Sequence, residues 1–339
     1  MFFQFKVLLE LNNNMLIISG SSNISLANKV SNLLFTKPID CNLYKFNCGE
    51  TGIQINETVR GNDIVIIQSG YNSNISVNDI VMETGLLIDA CRRSSAKSIT
   101  LIIPCYPYSR QDRKDSSRSP ISAAFIANMF EMAGLTRIVC MDLHSPQIQG
   151  FFRIPVDNLY SINLVHKKLI ELYNIDKEEE REKYYLISPD AGAVKRTLKF
   201  ANVMKMKMCL MHKERDYSKP GTVAKNILIC EDASDFSGKT AIITDDMIDS
   251  GGTFIKACDT LIEKGFQDVI GVITHGYFTK DALNKVCEAV SVKKIIVSNS
   301  ICQEENLEKC HKLELLDVSS QLAEAIRIIC DGGSMSNLF

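Results

Sequence analysis

No stretch of this chain reaches the ~18 consecutive apolar residues that a membrane-spanning helix requires. No Gly-x-Gly-x-x-Gly opens a helical pattern, and no Gly-x4-Gly-Lys-Ser/Thr is present. The dinucleotide-binding turn and the P-loop are therefore excluded, and any nucleotide has to be held by something else. The 12 cysteines contain no Cys-x-x-Cys pair and none has zinc-finger spacing to a histidine. Excess charge of one sign is missing too: 38 Lys and Arg against 40 Asp and Glu leave a net −2. That is too little to attract nucleic acid by a global field. Any anion site must be built locally.

What is present is the composition of a folded, soluble protein, 45% hydrophobic and 23% charged over 339 residues. That length fits about two domains. Cys140, Cys209, Cys230 and Cys258 sit inside apolar runs, where a thiol packs as a small core group. The expectation is reduced thiols in a cytoplasmic protein. Residues 1–14 carry Gln4, Lys6, Glu10 and three asparagines and lack a signal-peptide core. They read as a short extension, or an upstream start, before a first strand at Met15.

Apolar runs of strand length alternate with helical periodicity, which predicts α/β architecture with mostly parallel sheets covered by helices on both faces. Strands are expected at 16–19, 64–68, 98–103 and 137–141, with helices at 25–35, 77–94 and 121–133. A second, similar half has strands at 184–187, 207–211, 226–230, 240–244, 269–274 and 293–297. Its helices fall at 191–203, 253–264 and 280–288, and a last one at 319–330. The run 176–183 is charged on every face and reads as solvated. The domains are expected at 15–159 and 160–318, with a C-terminal helix and tail, 319–339, packing back on the first.

Residues 241–253 carry the most chemistry. A β-branched run leads into Asp245 and Asp246, then Asp249, then Ser250, Gly251, Gly252 and Thr253 at the start of a helix. These last four have little or no side chain, so their amides can close around a phosphate at the positive helix end. Like charge bars the carboxylates from that phosphate; they suit ribose hydroxyls or a magnesium ion beside it. For a bare Gly-Gly-Thr, an ordinary acidic helix cap would be the simpler explanation. The strand and the acidic pair before it favour a sugar-phosphate site.

Three other segments follow strands, where α/β proteins place ligands. The first, 104–120, holds Arg110, Arg113, Lys114 and Arg118, suited to phosphate but equally to a solvated loop. Tyr106 and Tyr108 within it read as packing. The second, 141–152, places His144 at a strand end, where a lone histidine is more often a hydrogen-bonded structural residue than a ligand. The third brings Lys213 and Arg215 before a Pro220-Gly221 turn in 216–225, either a basic hairpin tip or a mobile cationic loop.

Taken together, residues 110–118, Asp142-Leu143-His144, Gln147-Ile148-Gln149-Gly150-Phe151-Phe152, Ser188-Pro189-Asp190-Ala191-Gly192, His212-Lys213-Glu214-Arg215 and 245–253 resemble the ribose-phosphate pyrophosphokinases, over residues 15–339. The resemblance implies domains of the type I phosphoribosyltransferase kind and a reaction in which ATP and ribose 5-phosphate give phosphoribosyl pyrophosphate (PRPP) and AMP. It implies ATP contacts at Phe46, Glu50, Arg110, Gln111, Asp112 and His144. Lys213 and Arg215 would be catalytic cations. Asp245, Asp246, Asp249, Ser250, Gly251, Gly252 and Thr253 would bind ribose 5-phosphate, and His144, Asp190 and Asp142 would contact magnesium. Arg60, Arg118, Gln149, Asp157, Ser334 and Ser336 match a regulatory site for which inorganic phosphate is the expected activator. Family members form dimers that stack into hexamers; neither nucleic acid nor membrane is an expected partner. Cys48 and Gly49 replace the usual asparagine and glutamine of the base-binding loop, and Ala193 a frequent glycine. The alternatives are a PRPP-consuming phosphoribosyltransferase, which shares only the 245–253 loop, and a catalytically silent regulatory subunit.

Overall fold

The structure, a computed structural model, describes residues 15–215, 223–230 and 235–338, apart from the side chains of 213–226 and 337. The expected extension at 1–14 and residues 216–222 of the cationic loop lie outside the described residues, as do the side chains of Lys213 and Arg215. The chain divides into two compact units. One runs to Tyr160 and takes in Asn299–Cys302 and the residues from Asp317 on; the other comprises Ser161–Ser298 and Gln303–Leu316.

The first unit contains, in chain order, β1 (Met15–Ser19), α1 (Ile24–Leu33), β2 (Cys41–Lys45), β3 (Thr51–Ile55), β4 (Asp63–Ile67), α2 (Val77–Arg93), β5 (Ser98–Ile102), α3 (Ser122–Ala133), β6 (Arg137–Met141), a 3-10 turn (Pro146–Phe151) and β7 (Val156–Leu159). Five strands form a parallel sheet in the order β1-β4-β5-β6-β7. Ile64, Val65, Ile66 and Ile67 are all buried, and so are Ile99, Thr100, Leu101 and Ile102. Continuous apolar strands are what a sheet covered on both faces demands. Burial stabilises by roughly 1.5–3 kcal/mol for each such large side chain. Helix α2 starts where Ser76 Oγ accepts from the amides of Asn78 and Asp79, and Arg92 and Arg93 sit in its last turn. Both ends are thus matched to the helix dipole.

The second unit contains α4 (Ile162–Tyr173), α5 (Glu178–Arg181), β8 (Tyr184–Ser188), α6 (Val194–Met204), β9 (Lys207–Arg215), β10 (Val223–Cys230), β11 (Thr240–Ile248), α7 (Gly252–Glu263), β12 (Asp268–Gly276), α8 (Ala282–Glu288), β13 (Lys294–Ser298), α9 (Glu304–Lys309) and β14 (Leu313–Leu316). Its seven-stranded sheet runs β10-β9-β8-β11-β12-β13-β14. Among the described residues of this sheet, only the edge strand β10 is antiparallel to its neighbour. Helix α10 (Ser319–Asp331) returns to the first unit. There Lys29 pairs with Asp317 at 3.0 Å, and Gln321 Nε2 donates to the Tyr160 carbonyl at 3.0 Å. Both units are α/β with parallel sheets flanked by helices.

Several elements depart from the expected pattern. The β2–β3 hairpin was not expected, because each strand offers only two alternating apolar residues, Cys41 and Leu43 on one and Ile53 and Ile55 on the other, and its tip is exposed. Strands β7 and β14 hold only four residues each. Helix α4, which buries Ile162, Val165 and Leu169 at helical spacing, was hidden beside the charge run. Strand β11 does not stop at Thr244 but carries both Asp245 and Asp246, because β12 pairs with it as far as Ile248.

The expectation of reduced thiols fails for Cys209 and Cys230, which form a disulfide. The antiparallel register sets them directly opposite each other, with Cα atoms 4.4 Å apart, inside the range a disulfide spans. Their separation of 21 residues gives no hint of that pairing in the sequence. Closing a loop of this length stabilises by about 3 kcal/mol in the chain-entropy limit. A dithiothreitol-dependent drop in Tm is therefore expected for the parent chain and not for the double variant Cys209→Ser, Cys230→Ser. Equal Tm values with and without reductant in the parent would contradict a bond closed in solution.

Candidate active site

The strongest site lies in the second unit, at the carboxyl end of the sheet. β11 pairs with β8 only from Thr240 to Ile243, yet continues beside β12 to Ile248. Its last residues therefore overhang the end of β8, and Asp245 and Asp246 stand on that overhang. Asp246 is buried and Asp245 is half-buried. The Asp246 amide donates to Asp245 Oδ1 at 2.9 Å. Burial, and then the neighbouring Asp246 charge, push the Asp245 carboxyl up to about 8; Arg196 opposes the shift. Two adjacent carboxylates in this setting do not both ionise without compensating positive charge or donors.

Beyond the overhang the backbone is anchored from the far side. The amides of Tyr277 and Thr279 donate to the carbonyls of Ile248 and Asp249 at 2.9 and 3.1 Å. Thr279 Oγ1 donates to Asp249 Oδ1 at 2.5 Å, which fixes that carboxylate. Phe278 and Lys280, on either side of Thr279, both adopt positive φ, a cost accepted where a turn is over-determined by its contacts. Gly251 follows with φ 74° and opens α7. A β-carbon on Gly251 would lie 3.5 Å from Val286 Cγ2 and 3.6 Å from the Ala282 carbonyl, so α8 forms the wall of this turn. Gly252 is different: a β-carbon there meets nothing within 4 Å.

The start of α7 has no side-chain cap. Its first-turn amides lack intrahelical partners, as at any helix start. Here they come with a glycine pair, an αL turn and open space, the makings of a phosphate cradle. On the next strand, Ser188 Oγ donates to the Asp190 carbonyl at 2.8 Å. Asp190 Oδ1 accepts from the amides of Gly192 and Ala193 at 2.8 and 3.0 Å. Its carboxylate is exposed but oriented. Hydroxyls of Thr197 and Thr244, 2.9 Å apart, join α6 to β11.

Two functional groups here escape a reading of the sequence. Arg196, on α6, approaches Asp246 Oδ1 at 3.6 Å, and its buried Nη1 makes no hydrogen bond. It holds a free donor beside the acidic pair. Thr279 orients Asp249. Neither belongs to an acidic or glycine-rich motif; the only cue was an arginine six positions after Asp190.

The first unit presents its candidates one loop at a time. Phe46 and Glu50 sit at the exposed tip of the β2–β3 hairpin, where the Phe46 amide donates to the Glu50 carbonyl at 2.9 Å. Phe46 is 49% exposed and touches Tyr44 edge-on at 5.1 Å, leaving most of its ring available. Arg110 and Gln111 are exposed and Asp112 half-exposed; Gln111 is tied by Ser122 Oγ, which donates to its Oε1. Tyr106 packs as expected, buried and donating to the Ala123 carbonyl at 3.0 Å. Tyr108 does not: it is exposed, with its hydroxyl on Asn78. Asp142 is buried in a left-handed turn (φ 43°), and His144 two residues on is exposed. The turn is set by Asn158 Oδ1, which accepts from the Leu143 amide at 3.1 Å.

Among the described residues no three His, Cys, Asp or Glu side chains are grouped to hold a metal ion. Asp142 and His144 belong to the first unit and Asp190 to the second. Of the expected regulatory residues, Asp157 is engaged by Arg137 at 2.6 Å. Arg60 donates to Ser95 Oγ at 3.2 Å, and Gln149 to the Pro146 carbonyl at 2.9 Å. Arg118 is exposed with positive φ, and the hydroxyls of Ser334 and Ser336 lie 2.9 Å apart.

The raised Asp245 carboxyl has a consequence for stability. A carboxyl that holds its proton more tightly when folded costs stability as pH rises from its ordinary 3.8 to about 8. Asp245→Asn should therefore raise the ligand-free Tm at pH 8, by about 2–4 °C for each kcal/mol relieved. Near pH 4 the variant and the parent should coincide. Coincident Tm values across the whole range would show Asp245 ionising as freely as in the unfolded chain.

Comparison with known proteins places the chain in a family. Residues 15–134 match the model of the N-terminal domain of ribose phosphate pyrophosphokinase. Residues 215–339 match that of the phosphoribosyl synthetase-associated domain. The crystal structure of phosphoribosylpyrophosphate synthetase from Mycobacterium smegmatis is 35% identical, with a TM-score of 0.84 covering 95% of this chain and 100% of that one. Adenine phosphoribosyltransferase from Thermoanaerobacter pseudethanolicus is far more distant, at 14% identity and TM-score 0.26 over 46% of this chain and 77% of that one. The chain belongs to the ribose-phosphate pyrophosphokinase family.

Proposed function

We propose that this chain is a ribose-phosphate diphosphokinase, converting ATP and ribose 5-phosphate to PRPP and AMP for nucleotide biosynthesis. The observation that carries the reading is the uncapped, glycine-lined start of α7 beside the acidic overhang of β11, in a chain 35% identical to a PRPP synthetase over 95% of its length. Neither alternative is favoured, since a phosphoribosyltransferase accounts for the loop but not for the matches over 15–134 and 215–339.

In this reading the 5-phosphate sits on the amides of Ser250, Gly251, Gly252 and Thr253. Asp245, Asp246 and Asp249 receive ribose hydroxyls. A hydroxyl offers the donor that the crowded acidic pair needs, and it turns the raised Asp245 carboxyl into an asset for recognition. The anomeric oxygen attacks the β-phosphorus of ATP, the bond from that phosphorus to the α-phosphate oxygen breaks, and AMP leaves. Phosphoryl transfer of this kind asks the protein mainly to position groups and balance charge.

The nucleotide contacts are assigned to Arg110, Gln111, Asp112 and His144, with Phe46 and Glu50 for the base; bidentate arginine suits phosphate oxygens. Lys213 and Arg215 are assigned to charge that redistributes in the transition state. Magnesium prefers oxygen ligands and keeps several waters, which suits the carboxylates of Asp190 and Asp142, with the His144 nitrogen an unusual contact for it. Asp190 presents an exposed, oriented carboxylate for it, and we assign Asp142 and His144 as further contacts. When bound, the ion neutralises polyphosphate charge. Inorganic phosphate as an activator, acting through Arg60, Arg118, Gln149, Asp157, Ser334 and Ser336, and assembly of dimers into hexamers belong to the same proposal.

AMP should form from ATP and ribose 5-phosphate with no nucleobase supplied; its absence under saturating substrates and magnesium would remove the assignment. Lys213→Ala should lower kcat by ~10² or more, as for loss of a preorganised donor, and near-normal turnover would take Lys213 out of the chemistry. Gly252→Ala should leave Tm unchanged, because its β-carbon meets open space. It should raise the KM for ribose 5-phosphate ~10-fold or more, the loss of about 1.4 kcal/mol of binding. An unchanged KM would place the phosphate elsewhere.

A further inference from the structure

The second unit holds a thiol cluster that the proposed reaction does not use. Cys287 lies in the last turn of α8 and is partly exposed. Its Sγ is 3.7 Å from His311 Nδ1. Cys310, fully buried, is the second thiol at this helix end: burial, and then the neighbouring Cys287, push its pKa up. The next residue, Lys312, donates to the carbonyls of Val286 and Ala289 at 3.5 and 2.7 Å, closing the end of α8. Three consecutive residues thus grip one helix end, two of them beside Cys287. Cys287, Cys310 and His311 fall short of the four ligands of a structural zinc site, and among the described residues no such group is arranged to hold a metal ion.

We propose that Cys287 is a peroxide-reactive thiol, with His311 as its proton acceptor and Cys310 as its resolving partner. His311 Nδ1 takes the Cys287 proton. The thiolate attacks one peroxide oxygen, the O–O bond breaks, and sulfenic acid forms as hydroxide leaves and recovers the proton as water. Cys310 then attacks the sulfenic sulfur, an S–S bond forms, and a second water leaves. Two electrons pass from the thiol pair to hydrogen peroxide. Solvent access orders the two steps: Cys310 is sealed in, so oxidant meets only Cys287. Burial, and then the neighbouring Cys287, hold the Cys310 thiol protonated, which keeps it inert until Cys287 has changed. The cluster also sits one residue from the phosphate-loop wall, since Val286 is the side chain closest to Gly251.

The test uses the full chain with stoichiometric hydrogen peroxide, alkylation at timed intervals and peptide mass mapping. Cys48, exposed at the tip of the β2–β3 hairpin, serves as the internal reference. A Cys287–Cys310 disulfide is expected, reversed by dithiothreitol and formed ~10-fold or more faster than Cys48 is oxidised. Cys310→Ser should leave a sulfenic acid at Cys287 that dimedone captures, and His311→Gln, at an exposed position, should slow the oxidation. Oxidation of Cys287 no faster than that of Cys48 in the parent chain would overturn the proposal, whatever the variants do. The readout is the cysteines themselves, so it stands apart from the sugar-phosphate reading.

Discussion

The second unit depends on one mismatch between neighbouring strands. β11 outruns β8 by the length of Thr244–Ile248 while remaining paired to β12. Strand residues at a sheet interior have their amides and carbonyls used on both sides; here one side is released. That leaves two carboxylates on a rigid ledge, not on a loose turn. It also delivers the chain to Gly251 at the height where α7 must begin. A ligand at this ledge meets groups fixed by the ladder, which keeps the loss of freedom on binding small.

Electrostatics then explains the residue types. The ledge is acidic and the start of α7 is electropositive, so a ligand with hydroxyls at one end and a phosphate at the other finds a match at both. Arg196 moderates the acidic pair without saturating it, as its unbonded Nη1 shows. Asp245 remains pushed up to about 8 in spite of it. An unliganded site held in this state gains more from a hydroxyl donor or a cation than a relaxed carboxylate would. Perturbed carboxyls of this sort cluster where proteins bind or react.

Much of this was legible in the sequence, for reasons that differ by element. Long apolar runs such as Ile64–Ile67 declare buried parallel strands, since no other covered element of that length is so uniformly β-branched. The 245–253 loop was legible because glycine and carboxylate side chains carry their chemistry locally. The β2–β3 hairpin was not, because its apolar face is only four residues, Cys41, Leu43, Ile53 and Ile55, split between two short strands and half-buried against the core. Arg196 and Thr279 were invisible for a similar reason: each acquires meaning only from a partner 50 residues or 30 residues away, Asp246 and Asp249 respectively. The Cys209–Cys230 disulfide needed the β9–β10 register, which composition cannot supply.

The most direct test is a crystal structure of the full chain with ribose 5-phosphate. The phosphate oxygens should lie within hydrogen-bond distance of the backbone amides of Ser250, Gly251, Gly252 and Thr253, with ring hydroxyls on Asp245 and Asp246. A sugar phosphate bound away from the start of α7, with those amides still empty, would contradict the central claim.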